Sequence, residues 1–98
     1  MVITVEVDQD LEEIVPGFLE NRQQELVKIN QAIESSDFDT LQVIGHKLAG
    51  NAGGYGFATL GEFGAQMENS ARKRELGTIK QMRDEIKKYL SEVEVKYV

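Results

Sequence analysis

The chain has 98 residues, of which 41% are hydrophobic and 29% charged, with one histidine, no cysteine and a formal net charge of −6. That length supports one small domain over residues 1–98 with a single core. The composition excludes disulfides, thiolate chemistry and multi-histidine metal sites; no apolar run approaches the roughly 20 residues of a membrane span, and the acidic balance argues against nucleic acid or a membrane surface as partner.

Residues 2–7 hold apolar and β-branched positions in rough alternation, which predicts an extended strap. The opening residues show no basic region, long apolar core or cleavage site, so a secretory leader is not expected and a cytoplasmic setting fits. Asp8 and Asp10 are candidate helix N-caps, with Glu12 and Glu13 where a helix dipole favours anions. Leu11, Ile14, Val15, Phe18 and Leu19 recur at helical spacing, interrupted by Pro16-Gly17; a break or kink near residue 16 follows, giving a short helix that leads into a long one through Leu26, Ile29 and Ile33.

Ser35-Ser36-Asp37 ends that helix and caps the next, predicted from about residue 37 or 38 to Gly53. The glycine-rich segment 53–56 turns the chain back. A third helix is predicted from about Ala58 to Arg72, with Leu60, Phe63, Met67 and Ala71 on its stripe, and a fourth after Gly77-Thr78, with Ile79, Met82, Ile86, Tyr89 or Leu90, and Val93. The last residues, 93–98, alternate like a strand and are expected to pair with residues 2–7 as a short terminal ribbon. The fold class expected is all-α: an antiparallel four-helix bundle with a short kinked N-terminal helix and extended termini.

The second of these helices carries the only histidine, His46. At 100° per residue, Leu41, Ile44, Leu48, Ala52 and Tyr55 share one face, and His46 lies roughly 160° from its centre. The imidazole therefore points to solvent. Around it stand Gln42 and Val43 one turn back and Ala49, Gly50 and Gly53 ahead, so no bulky side chain covers it. A helical glycine costs about 1 kcal/mol relative to alanine. Two on one exposed face suggest that another macromolecule approaches there, with Gln42, Val43, Ala49, Gly50 and Gly53 as its docking collar. Lys47 is the cation beside His46 in sequence, about 100° around the helix.

The run His46-Lys47-Leu48-Ala49-Gly50, followed by Gly53, Gly54, Gly56, Leu60 and the pair Met67-Glu68, resembles the signature of histidine phosphotransfer (HPt) domains. Many members have lysine three residues after the histidine, where this chain has Ala49. The resemblance implies a four-helix bundle and a phosphocarrier in a two-component phosphorelay, with His46 as phosphoacceptor and Lys47 shielding the phosphoryl group. It also implies a partner, the receiver domain of a response regulator or hybrid sensor kinase. That receiver would bring the aspartate and Mg²⁺, so no cofactor or metal is expected on this chain, nor kinase machinery of its own. A monomer suits such a surface.

Other readings weigh against this one. A bundle that binds and regulates a signalling partner without being phosphorylated would show the same stripes, and Ala49 leaves room for it. The segment 50–56 lacks the Gly-Lys-Ser/Thr ending of a phosphate-binding loop and follows a helix, which sets nucleotide binding aside. Glu68 reads equally as a site residue and as a capping or surface ion-pair residue. An enzyme with its own active site would need a second polar group converging on His46, and its helix offers only Gln42 and Asp39 within reach.

Overall fold

A computed structural model describes residues 2–98. Four helices form an all-α bundle: α1 Val15–Glu34, α2 Phe38–Asn51, α3 Ala58–Arg72 and α4 Leu76–Glu92. Successive helices are joined by short turns, and the pairs α1/α2, α2/α3, α3/α4 and α1/α4 all touch, which closes the four around one core. Leu41, Leu48, Phe57, Leu60, Met67, Ile79, Ile86 and Ile29 are essentially inaccessible and come from all four helices and the α2–α3 connection. At the end of the bundle away from the α1–α2 turn, Phe18 stacks against both Tyr55 and Phe57, with ring centroids 4.6 and 5.5 Å apart.

The N-terminal region differs from the sequence reading. There is no kinked helix at residue 16: Asp8 caps a single 3₁₀ turn at Gln9–Leu11, its Oδ1 accepting from Asp10 N at 2.9 Å, and α1 then runs unbroken from Val15. Pro16 lies in the first turn of α1. There its missing N–H would have had no partner and its fixed φ already suits the helix, so the residue read as a breaker serves as a start. Two other boundaries shift. α2 ends at Asn51, two residues before Gly53, and tightens into a 3₁₀ turn at Ala52–Tyr55, while α4 already contains Gly77 and Thr78.

Three of the connections close the same way. Asp37 N donates to Ala32 O, Phe57 N to Ala52 O and Glu75 N to Ser70 O, at 2.8 to 2.9 Å, each around a residue with positive φ: Ser36 at 53°, Gly56 at 92° and Arg74 at 57°. This satisfies the last carbonyls of each helix and reverses the chain within a few residues. The termini pair as expected. β1 Ile3–Val7 and β2 Val93–Tyr97 form a two-stranded parallel ladder in the register Ile3↔Val93 to Val7↔Tyr97. Ile3, Val5, Val7, Val93, Val95 and Tyr97 turn inward onto the bundle, and Val7 is buried.

Candidate functional site

Asp37 begins α2 by accepting the Thr40 N–H on Oδ1 at 3.1 Å and the Thr40 hydroxyl on Oδ2 at 2.6 Å. Those two bonds favour the ionised carboxylate and hold Asp37 below its ordinary carboxyl range. From that start, Leu41, Ile44, Leu48 and Ala52 are driven into the core, and the opposite face of the same helix is turned outward. The His46 side chain is 74% exposed.

The residue before it is a buried glycine. A Cβ on Gly45 would lie 2.6 Å from both Glu68 N and Gly64 O, and a Cβ on Gly64 would lie 2.8 Å from Leu48 Cβ and 2.9 Å from Ala49 N. α2 and α3 therefore cross backbone to backbone at the level of His46. That crossing delivers a side chain from the second helix: Glu68 Oε2 accepts from His46 Nδ1 at 2.9 Å and from Arg72 Nη2 at 3.0 Å. Glu68 is only 14% exposed, so its carboxylate is a fixed feature of the wall beside the imidazole.

An ionised carboxylate can only accept, so this contact assigns a proton to Nδ1, and in the neutral imidazole the lone pair is then on Nε2. Gln42, Val43, His46, Lys47, Glu68 and Arg72 enclose a shallow depression of about 290 Å³ beside the ring. Val43, at 51% exposure, gives it an apolar edge. Among the described residues no three His, Asp or Glu side chains converge as a metal site requires, and no helix is long and apolar enough to cross a membrane.

The structure sorts the residues singled out from sequence. Gln42, Val43 and Lys47 share the depression with His46. Gly50 near the end of α2 and Gly53 in the 3₁₀ turn beyond it are exposed, with nothing within 4 Å of where a Cβ would stand. Ala49 is half-buried, its backbone turned toward Gly64 on α3. Lys47 lies on the α1 side of the helix, where its charge, with those of Arg22 and Lys28, draws down a Glu25 carboxyl that burial pushes up more strongly.

On its own helix the sequence reading placed only Gln42 and Asp39 within reach of His46. Glu68 comes from the next helix, 22 residues away, and Arg72 follows one turn later. The Met67-Glu68 pair was the available signal for the first; for Arg72 the only signal was its i,i+4 spacing from Glu68.

Searches of curated proteins and of solved structures return no match. A family model does match: the Hpt domain, over residues 9–95, nearly the whole chain. Together with a four-helix bundle that presents a lone histidine on an outer face, this places the chain in the Hpt domain family, whose general role is histidine phosphotransfer in phosphorelays.

Proposed function

We propose that the protein is a phosphocarrier in which His46 accepts a phosphoryl group on Nε2 from the aspartyl phosphate of a receiver domain, in a response regulator or hybrid sensor kinase, and returns it to such an aspartate. The observation that carries this reading is the exposed imidazole whose Nδ1 is held by a nearly buried carboxylate, which leaves Nε2 free and outward.

In the forward step the Nε2 lone pair forms the N–P bond as the P–O bond to the receiver aspartate breaks, and the aspartate leaves with the electron pair. Nδ1 keeps its proton, so the ring becomes cationic, and Glu68 stabilises that cation at 2.9 Å. Phosphoryl transfer depends chiefly on in-line positioning and charge neutralisation. The rigid helix supplies the first. Mg²⁺ on the receiver and Lys47 at the rim supply much of the second, so this chain needs no nucleotide site or metal of its own and is not itself an enzyme.

Gln42, Val43, Ala49, Gly50 and Gly53 form the collar on which a receiver rests; open space over the two glycines supports close approach. A cytoplasmic setting and a monomer fit this role. The test is treatment of the purified protein with phosphoramidate, followed by intact mass. One acid-labile, alkali-stable phosphoryl adduct is expected on the parent and none on His46→Gln, which should fold as well as the parent because the side chain is exposed. A parent that stays unmodified would turn the reading to a binding module that works without phosphorylation.

A further inference from the structure

We propose that Arg72 is a cation that receives the phosphoryl group on His46, reaching it from α3 across the Glu68 carboxylate. This rests on the reading of His46 as phosphoacceptor.

The argument begins with a charge conflict. Glu68 fixes the proton on Nδ1 and stabilises the cationic ring, but the same carboxylate stands close to a position that must take on a multiply charged anion. Two like charges that near each other raise the free energy of the phosphorylated state unless a cation answers them. On the α3 flank, α2 offers none: Gly45 and Ala49 occupy it, and Ala52 follows in the 3₁₀ turn. Lys47 stands on the other flank, where it interacts with Glu25 on α1.

Arg72 is already in place. Its Nη2 donates to the same Glu68 oxygen that His46 Nδ1 contacts, at 3.0 Å, and its side chain lines the depression beside the ring. A guanidinium has five N–H donors in a planar fork, so one bond to Glu68 leaves others free for a phosphoryl oxygen. Glu68 is nearly buried and therefore positions Arg72, which is itself 59% exposed. That exposure limits the effect, because solvent screens the charge.

The test uses the full chain and phosphoramidate, itself an anion, and reads the initial rate of His46 labelling in parent, Arg72→Ala, Arg72→Lys and Lys73→Ala. Arg72→Ala should label roughly five-fold more slowly, and Arg72→Lys should recover most of the rate. Lys73→Ala, with the same change in net charge one residue away, should label like the parent. Added salt should shrink the difference between parent and Arg72→Ala. Imidazole ¹⁵N spectra should keep the proton on Nδ1 in all four proteins. Equal rates in parent and Arg72→Ala, or an equal loss in Lys73→Ala, would overturn the proposal. So would a shift of the proton in Arg72→Ala, since Arg72 would then act by holding Glu68 in position. A labelled parent with any of these results sinks this inference alone; an unlabelled parent sinks the phosphoacceptor reading and this with it.

Discussion

Glycine serves two opposite ends on the two flanks of α2. On the inner flank Gly45 is buried, and its missing side chain lets Glu68 N and Gly64 O come to 2.6 Å from where a Cβ would be. On the outer face Gly50 has nothing within 4 Å. One position is closed by its own fold, the other is open to the outside, and His46 lies between them in sequence. The closed glycine sets the distance between two helices and so determines whether Glu68 reaches the imidazole. The open glycine contributes nothing to folding that alanine would not contribute better.

The largest effect expected from this contrast is at Gly45. Gly45→Ala puts a methyl group against backbone atoms, which no rotamer change can relieve, and should destabilise the protein by about 2–3 kcal/mol. A urea midpoint close to the parent's would show that the α2–α3 crossing yields easily, and the contrast would collapse. Gly50→Ala should move the midpoint the other way, stabilising by about 0.5–1 kcal/mol, because the chain loses unfolded-state freedom and the helix gains a better former. Gly50→Glu should fold like the parent yet exchange phosphoryl groups with a receiver domain roughly ten-fold more slowly, through bulk and like charge against the receiver's acidic site. Unchanged exchange in that variant would move the docking surface elsewhere.

The smallest effect concerns the start of α2, which sets both flanks at once. Asp37 is held below the ordinary carboxyl value of 3.8 in the folded protein by the Thr40 hydroxyl and then by the Thr40 N–H. A depressed folded-state value means that its contribution is complete above the unfolded value and disappears as pH falls through the folded one. The protection of the Thr40 amide, read from its exchange rate relative to an unstructured amide at the same pH, should therefore fall as pH drops below the ordinary carboxyl value of 3.8 in the parent and show no such step in Asp37→Asn. A step that persists in the variant would assign it to another carboxylate.

The bundle was legible because burial imposes a 3.6-residue period, and the stripes Leu41-Ile44-Leu48 and Leu60-Met67-Ala71 carry it plainly. The outward direction of His46 came from the same arithmetic. What the period cannot express is how two helices register against each other. Gly45 sits between Ile44 and His46 with no side chain to mark it, and Gly50 looks identical to it on the page, though one is enclosed and the other open. The contact of Glu68 with His46 depends on that crossing, so the residue could be matched to a motif but not placed. Pro16 misled for a related reason. Leu11 and Ile14 extended the apolar pattern backwards, which made the first turn of α1 look like the middle of a helix.

The terminal ladder has a mechanical consequence. Because β1 and β2 run parallel, the chain enters before Ile3 at one end of the pair, while Val98, still bonded to Val7 and Gln9, lies at the other. Tension applied between Val2 and Val98 would slide one strand along the other, so the ladder's hydrogen bonds would bear the load together instead of parting one after another. An antiparallel pairing of the same two segments would bring both exits to one end and peel open like a zip. The ribbon is therefore suited to withstand pulling on Val2 and Val98 while α2 and its exposed imidazole stay unloaded.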